Sequence, residues 1–365
     1  MDRREFLKYS AAGLITISLP GLLSQACKKK QDRYSVVILG DTHYDDPNPL
    51  RYHTGYSDPN PAREAAHREE FTRNGEMWSG RCQSLVQRAA CLVDDDTRFV
   101  FQMGDLIQGD TADAATHRRF LEDTVNLLKN GIAPNLPFIT VAGNHDVRGN
   151  DDKVCYNAYK NYMTERMSQE LGEEINDINF LFRSSEDAFV VIDFNHPKVN
   201  RIKELLEEAR GARHIFVIVH GPVFPFDDSD IYFWYLLGSR DNAYAKERRE
   251  IRALLASLNA IVLCGHTHTT EFLDWKGDGG RISQMTMNSV WDDDAKGSYQ
   301  IKASGASEYG NDAGKAIFDE YRPGISSYSL ADSAGAYKLI VDGSSVVVDY
   351  YAGHSPRLSH RFVLR

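Results

Sequence analysis

Cysteine is scarce in this chain of 365 residues, which has five. The four cysteines that follow the first thirty residues are widely spaced, in a chain large enough to fold without covalent cross-links. The sequence therefore does not predict a disulfide framework, and the small cross-linked secreted domains are excluded. The last of the four ends an apolar run and is expected to be a small buried hydrophobic residue. They are Cys82, Cys91, Cys155 and Cys264.

Basic residues are also too few for a protein that binds long nucleic acids. The chain has 52 acidic against 42 basic residues, a net charge of -10 that is spread along the chain. Long nucleic acids are bound by neutralising their phosphates, so we expect no partner of that kind. The acidity is compatible with a site for cations, although it does not locate one. Apolar and aromatic contents are ordinary and allow a large core.

An apolar run of sufficient length to cross a membrane comfortably is missing at the N-terminus. The run from Ala11 to Leu23 is broken by Pro20 and is shorter than the about 20 residues that a span needs. Basic residues precede it, so residues 1–30 have the anatomy of an export signal. The adjacent Arg3 and Arg4 resemble the twin-arginine signal of proteins exported already folded. The alternative is a generic signal peptide with two chance arginines.

Cys27 resembles the lipidated cysteine of a bacterial lipoprotein, because it follows the small residue Ala26. The usual pattern has leucine three residues before the cysteine, where this chain has Ser24, and Leu23 lies one position further back. A lipidated Cys27 would become the first residue of the mature protein, and its acyl chains would tether the protein to a membrane surface. Without lipidation the exported protein would be freely periplasmic or secreted.

Short apolar runs alternate with segments of helical periodicity over residues 35–264, which is typical of an α/β sheet with crossover helices. Strand-like segments continue after Thr269, and Asp342-Gly343 is a hairpin turn signal between the last two. We expect these later strands to close a second sheet. The first strands are predicted at 35–39, 98–103, 137–142, 188–193, 214–219 and 260–264, the helices at 81–93, 114–130, 199–210 and 243–258, and the later strands at 281–286, 337–341 and 345–351.

Two insertions and one aperiodic segment interrupt this pattern. Residues 44–80 include His53 and His67, residues 221–242 are rich in aromatic side chains, and residues 291–334 are rich in Gly, Ser and Asp. Long ordered loops at the carboxyl ends of strands are commonly lids or substrate walls. The alternative for each aromatic side chain is that it covers an edge of the core. Residues 291–334 are expected to form a long loop region.

Five short segments with metal-binding side chains each follow a predicted strand. A single Gly-Asp after a strand is usually a turn, and a lone buried His is usually structural. Together they are hard to explain as turns, because the carboxyl ends of the strands of an open α/β sheet form one ligand-binding edge. The sequence therefore predicts a metal site there. The segments are Asp41-Thr42-His43, Gly104-Asp105, Gly143-Asn144-His145-Asp146, His220 and Gly265-His266-Thr267-His268.

This ordered set resembles the calcineurin-like metallophosphoesterase superfamily, over about 230 residues from Asp41 to His268. The resemblance implies an α/β fold, a four-layer α/β/β/α sandwich with a dinuclear metal site at the carboxyl ends of the strands, in a catalytic domain spanning residues 31–365. Mixed imidazole and carboxylate ligands suit two divalent or trivalent ions of Mn, Fe or Zn. Asp41, His43, Asp105 and His268 would bind one ion, and Asp105, Asn144, His220 and His266 the other.

The same resemblance implies hydrolysis of a small phosphoester by attack of a hydroxide that bridges the two ions. A bridging Asp105 would keep the cations about 4 Å apart, so that they acidify a shared water and draw charge from the phosphoryl oxygens. His145 would then be a catalytic cation or acid that faces the substrate, and not a ligand. Asp146 either orients His145 or caps the following segment, and the sequence leaves both roles open.

Three positions of this chain can be compared with the corresponding positions in branches of the superfamily. Purple acid phosphatases have a tyrosine ligand where this chain has Gln108, and they lack the histidine that corresponds to His43, which argues against that branch. The motifs look most like the branch that contains bacterial cyclic-nucleotide phosphodiesterases. That branch often has a second histidine where this chain has Gly221, so the substrate stays open.

The kind of ester and the activity itself are not fixed by the motifs. A phosphomonoesterase is expected to have extra basic groups that reach a terminal phosphate, whereas a phosphodiesterase is not. A non-catalytic lipoprotein that binds a metal or ligand on the same scaffold is the alternative to an enzyme. The sequence leaves the oligomeric state open. The candidate basic residues, for each of which a solvated surface role is the alternative, are Arg51, Arg63, Arg68 and Arg81.

Overall fold

The computed structural model describes residues 33–224, 235–238, 243–290, 320–331, 333–353 and 355–365. The predicted export signal and Cys27 lie outside these residues, as do much of the second insertion and residues 291–319 of the predicted loop region. None of the helices in the described part of the chain combines the length and the apolar composition that crossing a bilayer requires.

The described residues form thirteen strands and six α-helices, and a π-helical turn at Trp78–Cys82 joins the first two helices. The strands are β1 (Arg33–Leu39), β2 (Thr97–Gln102), β3 (Phe138–Thr140), β4 (Phe180–Ser184), β5 (Asp187–Ile192), β6 (Ile215–Val219), β7 (Ile261–Cys264), β8 (Thr270–Gly277), β9 (Gly280–Thr286), β10 (Ile325–Ala331), β11 (Gly335–Asp342), β12 (Ser345–Ala352) and β13 (His360–Val363). The helices are α1 (Pro61–Met77), α2 (Gln83–Ala90), α3 (Ala114–Ile132), α4 (Asp152–Leu171), α5 (Val199–Ala209) and α6 (Ala245–Ser257).

Two sheets organise these strands. The six-stranded sheet has the order β13-β12-β11-β1-β2-β3, with β1, β2 and β3 parallel. The seven-stranded sheet has the order β10-β8-β9-β7-β6-β5-β4, with β5, β6, β7 and β9 parallel. The carboxyl ends of the parallel strands therefore form two edges on which loops can present side chains.

The two sheets pack face to face, and helices cover their outer faces. Phe99 of one sheet contacts Phe189 of the other, with ring centroids 5.2 Å apart. Phe189 and Val191 belong to this inner core, whereas the alternate residue Val190 packs with Ile202 of α5, because successive strand side chains point to opposite faces. Helices α2, α3 and α4 contribute to the core of the six-stranded sheet. The expected four-layer sandwich is confirmed.

Polar side chains fix where the helices around the site begin. The Asn60 side chain accepts the backbone N–H groups of the first turn of α1, and Pro61 occupies the first helical position. Asp113 and Asp151 do the same for α3 and α4. Helix α4 ends at Gly172, whose φ of 69° is left-handed, as is usual after a helix.

Three expectations about secondary structure are corrected. The first insertion is not a loop throughout, because the 17 residues of α1 lie within it, and the helix predicted at 81–93 is shorter, as α2. Helix α4 and strands β4, β8 and β13 were not predicted, and β10 lies within the expected loop region 291–334.

The three later strands also do not share a sheet. Strand β9 runs parallel to β7 in the seven-stranded sheet, whereas β11 and β12 pair beside β1 in the six-stranded sheet. Strand β10 still pairs with β8 in the seven-stranded sheet, so the chain passes to the six-stranded sheet in the short link between Ala331 of β10 and Gly335 of β11.

Candidate metal centre

Seven predicted ligands converge at the carboxyl ends of strands from both sheets. The six-stranded sheet supplies both carboxylates, the amide and the imidazole of His43 from the loops after β1, β2 and β3. The seven-stranded sheet supplies imidazoles from the loops after β6 and β7. The centre therefore lies where the two sheets meet. The converging residues are Asp41, His43, Asp105, Asn144, His220, His266 and His268.

Asp41 connects the end of β1 to the loop after β7. Both of its carboxylate oxygens accept the backbone N–H of His266, each at 3.0 Å. His268 Nε2 lies 3.2 Å from Asp41 Oδ2, and His43 Nε2 lies 3.0 Å from His268 Nε2. These three side chains form one group of potential ligands, and Asp41 and His43 are buried.

Asp105 lies between the two halves of the centre. Its Oδ2 is 3.7 Å from His43 Nε2 on one side and 3.2 Å from His220 Nε2 on the other. Its Oδ1 accepts the backbone N–H of His145 at 2.8 Å. The side chain is fully buried and is held in place by this hydrogen bond. Because it lies between His43 and His220, it occupies the position expected of a bridging ligand.

The second group of ligands surrounds His220. Its Nε2 lies 3.2 Å from Asn144 Oδ1 and 2.9 Å from His266 Nδ1. Its Nδ1 donates to the carbonyl of Met103 at 2.8 Å, which places the proton on Nδ1 and directs Nε2 into the centre. A backbone acceptor of this kind is typical of metal-binding histidines.

His145 lies beside the centre, as the sequence predicts. Its ring packs edge-on against His43, with centroids 4.5 Å apart, and its Nδ1 lies 3.2 Å from the carbonyl of Gln108. His145, His43 and Asp105 also form a group of close potential ligand atoms. His145 is therefore close enough to His43 and Asp105 to contact a substrate that binds at the centre.

Asp146 has neither of the two roles left open by the sequence. Its Oδ1 accepts the backbone N–H groups of Leu106 and Ile107, at 2.8 and 3.1 Å, and its Oδ2 accepts that of Gly143 at 2.9 Å. It thus ties the loop after β3 to the loop after β2. Burial and the nearby charge of Asp105 raise the pKa of Asp146 to about 8.

The backbone is strained at four of the seven predicted ligands. His43, Asp105, His266 and His268 have φ values of 38°, 48°, 76° and 53°. Residues with a side chain rarely adopt this left-handed conformation, which costs of order 1 kcal/mol or more at each position. Strain of this kind persists only where the surrounding structure imposes it, and it clusters at functional sites. The backbone therefore marks the same loops as the sequence motifs do.

Two motif glycines leave room for the carboxylates. A methyl group at Gly143 would lie 2.1 Å from the backbone nitrogen of Asp105 and 2.2 Å from its Oδ1. A methyl group at Gly265 would lie 2.2 Å from Asp41 Oδ1. Any larger residue would displace a predicted ligand, which explains physically why glycine precedes Asn144 and His266.

The donor atoms fit metal ions in both type and spacing. Ligand atoms that bind one ion at about 2.1 Å lie roughly 3 Å apart. The imidazole nitrogens that face each other, of His43 and His268 and of His220 and His266, are separated by 3.0 and 2.9 Å. The mixed imidazole, carboxylate and amide set suits Zn, Mn or Fe better than Ca. The residues present therefore fit the metal ions that the sequence predicts.

Burial and charge oppose each other among the titratable groups. Burial lowers the pKa of His43 to about 4, although Asp105 acts in the other direction. Burial also acts against a proton on His220, but the carboxylates of Asp105 and Asp41 outweigh it and raise the pKa to about 10. Burial likewise opposes ionisation of Asp105, and His220 and His145 more than compensate, so its pKa lies well below its usual range. The buried carboxylates thus favour positive charge at the centre.

A second polar cluster adjoins the centre, and the sequence did not indicate it. We call it the Arg148 cluster and define it as His67, Glu70, Asp110 and Arg148. Arg148 Nη2 donates to Asp110 Oδ2 at 2.7 Å and to Glu70 Oε2 at 2.9 Å. His67 Nδ1 lies 3.1 Å from Asp110 Oδ1. Because His67 and Glu70 belong to α1, the first insertion packs directly beside the loop that holds His145.

The arginines considered for a terminal phosphate have surface partners. Arg51 donates to Asp46 and Asp123, at 2.7 and 2.9 Å. Arg63 forms an ion pair with Asp58, and Arg68 forms one with Glu64, while Arg81 is exposed. The structure does not bring Arg51, Arg63 or Arg68 into the metal centre. Gln108 occupies the position of the purple acid phosphatase tyrosine, and its side chain accepts from Asn74 of α1 at 2.6 Å.

Comparison with known proteins gives likenesses to solved structures. A chain described as the structure of PhoD has a TM-score of 0.53 and 13% identity, over 91% of this chain and 68% of that one. GAP50, the anchor in the inner membrane complex of Plasmodium, has a TM-score of 0.45 and 14% identity, over 91% and 89%. At 13% identity the likeness to PhoD shows similarity of fold alone. No curated protein matches the chain.

A family model gives the decisive match. The model described as calcineurin-like phosphoesterase matches residues 34–270, about two thirds of the chain. The matched segment includes every loop that supplies a predicted ligand, from Asp41 to His268. The resemblance stated from the motifs is confirmed. This chain therefore belongs to the calcineurin-like phosphoesterase family, and it is a metal-dependent hydrolase of phosphoesters.

Proposed function

We propose that the protein hydrolyses a small phosphomonoester or phosphodiester at two metal ions held between its sheets. Asp41, His43, Asp105 and His268 would hold one ion, and Asp105, Asn144, His220 and His266 would hold the other. The observation that supports this most directly is the position of Asp105, whose Oδ2 lies within 3.7 Å of His43 Nε2 and 3.2 Å of His220 Nε2. A single carboxylate can therefore serve both groups of ligands.

The chain's own residues prepare the site for this reaction. Two bound ions supply an acidified water and withdraw charge from the phosphoryl oxygens. The hydrogen bond from His145 N–H fixes Asp105 Oδ1, so that Oδ2 remains directed toward the imidazoles. The carbonyl of Met103 fixes the His220 ring with Nε2 inward. Preorganised ligands of this kind need little rearrangement during the reaction.

His145 acts as the acid. Its Nδ1 donates to the carbonyl of Gln108, so Nε2 is the atom that exchanges a proton with the substrate. Burial and the charge of Arg148 hold the pKa of His145 well below its usual range. The negative charge of a phosphoester favours the imidazolium form, whose proton on Nε2 can pass to the departing alkoxide.

Metal reconstitution tests this proposal. Purified protein is stripped with a chelator, loaded with Mn, Fe or Zn, and assayed with p-nitrophenyl phosphate and bis(p-nitrophenyl) phosphate while metal content is measured. We expect turnover to return as the ratio of metal to protein approaches two. Turnover that saturates at one ion per protein would contradict a dinuclear centre. Bound metal without turnover of either ester would favour the non-catalytic alternative.

We further propose that the protein is exported and tethered at Cys27, on the basis of its first thirty residues alone. Fractionation of cells that express the full chain tests this. The Cys27→Ser variant is expected to move from the membrane fraction to the soluble periplasmic fraction. Replacing Arg3 and Arg4 with lysine is expected to retain the protein in the cytoplasm, and export of that variant would contradict the twin-arginine route.

A further inference from the structure

A cavity of about 610 Å³ opens beside the predicted ligand Asn144. One wall is the loop after β5, with Phe194, Asn195 and His196, and Tyr244 at the start of α6 also lines the cavity. Cavities of about 300 to 1,000 Å³ are typical of small-molecule sites. A phosphate group alone needs far less space than this side cavity offers.

The loop wall is tied directly to the metal centre. The Phe194 ring lies 5.7 Å from the ring of His220 and 5.2 Å from that of His266, centroid to centroid. The Asn195 side chain donates to the carbonyl of Gly143 at 2.9 Å, next to Asn144. A ligand whose phosphate binds at the centre would therefore place its remaining atoms against this wall.

Asp193 holds the loop in place. Its carboxylate accepts the Tyr156 hydroxyl and the backbone N–H of Asn195, both at 2.9 Å. Its own N–H donates to Asn179 Oδ1 at 2.9 Å. Tyr156 in turn packs edge-on against the His196 ring, with centroids 4.2 Å apart. The wall is thus preorganised, which reduces the entropy that a ligand loses on binding.

The cavity presents rings to a ligand while it remains open to solvent. His196 is exposed, Tyr244 is 47% exposed, and Phe194 is half-buried. Planar rings stack well on such side chains, with a gain beyond the area they bury. Asn195 and His196 add polar groups that can orient a ligand.

We propose that the side cavity binds a planar ring attached to the phosphate of the substrate, such as an aryl group or a nucleobase. This inference rests on the proposed function, because the phosphate is assigned to the metal centre. In this proposal His196 and Tyr244 determine which substrate is preferred, whereas the proposed metal ligands serve the hydrolysis itself. Substrates with a small alkyl group would leave the cavity unfilled.

Binding of phosphonates, which are not hydrolysed, tests the proposal without turnover. Calorimetry on the metal-loaded protein compares phenylphosphonate, cyclohexylphosphonate and methylphosphonate. Phenylphosphonate is expected to bind roughly three- to tenfold more tightly than the other two, since a ring contact contributes a gain of that order. The cyclohexyl group has similar bulk but is not planar, so equal affinity of phenyl and cyclohexyl would overturn the assignment of a planar ring.

Variants of the two exposed side chains locate the effect. His196→Ala and Tyr244→Ala are expected to reduce the preference for phenylphosphonate and to leave methylphosphonate affinity unchanged. Tyr244→Phe keeps the ring and is expected to keep the preference. Leu358→Ala, at a residue 45% exposed outside the cavity lining, is the control. A preference that survives both alanine variants would overturn the proposal.

The outcomes distinguish a failure of the cavity assignment from a failure of the proposed function. Methylphosphonate binding reports on the metal centre, and the difference between phenylphosphonate and methylphosphonate reports on the cavity. If methylphosphonate does not bind the metal-loaded protein, the proposed function fails and the cavity assignment fails with it. If methylphosphonate binds and phenylphosphonate binds no better, only the cavity assignment is wrong.

Discussion

The metal centre and the Arg148 cluster are two polar regions that lie side by side and balance the charge of a buried acid differently. In the Arg148 cluster the guanidinium contacts Asp110 and Glu70 directly, so the chain supplies its own positive charge. In the metal centre imidazole nitrogens face each other at about 3 Å around buried carboxylates. Cations from solution fit such a donor set. A buried acid such as Asp110 thus has a structural role, because the chain supplies its positive partner. A buried acid such as Asp105, which lacks an arginine partner of this kind among the described residues, is suited to bind a metal ion.

Asp105→Asn tests this difference most severely. Removing the shared carboxylate charge is expected to reduce activity below detection and to lower metal content. Turnover and metal content measured on the same sample check this result. Asp110→Asn is the matched control, because it neutralises a buried acid of the Arg148 cluster and is expected to keep the metals. An Asp105→Asn variant that retains both activity and metal would refute the bridging role.

His145→Ala is expected to separate catalysis from metal binding. Loss of a general acid typically lowers turnover by about 10² to 10⁴-fold. The metal content is expected to stay unchanged, because none of the seven assigned ligands is removed. Steady-state kinetics with metal analysis measure both quantities. If the variant loses metal, His145 is a ligand, as its closeness to His43 and Asp105 also allows.

Arg148→Met is expected to affect stability first. It leaves the buried Asp110 without its guanidinium, and breaking a buried ion pair costs about 3 to 5 kcal/mol. Urea denaturation of the metal-free protein measures the change in the free energy of unfolding. The double variant with Asp110→Asn is expected to recover part of the loss, because the buried charge that has lost its guanidinium is then removed. No recovery would mean that the two residues do not act as a pair.

His117 provides the smallest of the expected effects and a contrast with both regions. It is fully buried, with Nε2 2.8 Å from the carbonyl of Asp146, and burial lowers its pKa from 6.5 to about 4. Between those values the unfolded chain binds a proton that the folded protein does not. Stability is therefore complete above pH 6.5 and falls by about 3 kcal/mol as the pH drops to 4.

Denaturation curves of His117→Gln across this pH range check the assignment. The variant is expected to lose the part of the pH dependence that belongs to His117, whatever its absolute stability. An unchanged slope between pH 4 and 6.5 would show that another group is responsible.

The convergence of the proposed ligands could be predicted from the sequence because each lies shortly after a strand. Strands such as β1 and β7 are apolar runs whose carboxyl ends leave little choice of position for Asp41 or His266. The glycines beside them add a steric signature that is also local in sequence. The geometry of the centre was therefore largely encoded in short motifs.

The Arg148 cluster could not be predicted in this way. Arg148 meets Glu70 from 78 residues away and Asp110 from 38, so that only tertiary structure brings them together. Helix α1 was missed because it is mostly polar, with Phe71 as its one large buried apolar residue. The assignment of β9 and β11 to different sheets likewise depends on which strands they pair with, and the periodicity of a strand does not reveal its partner.

The direction of β1 has a consequence for how the enzyme would face a membrane. The strand begins at Arg33, six residues after Cys27, and its other end leads into Asp41 at the metal centre. Seven residues at about 3.3 Å each span roughly 20 Å. An anchor at Cys27 would thus hold the molecule by the end opposite its active site. Such a tether would leave the carboxyl ends of the strands, where the proposed ligands lie, free of the attachment point.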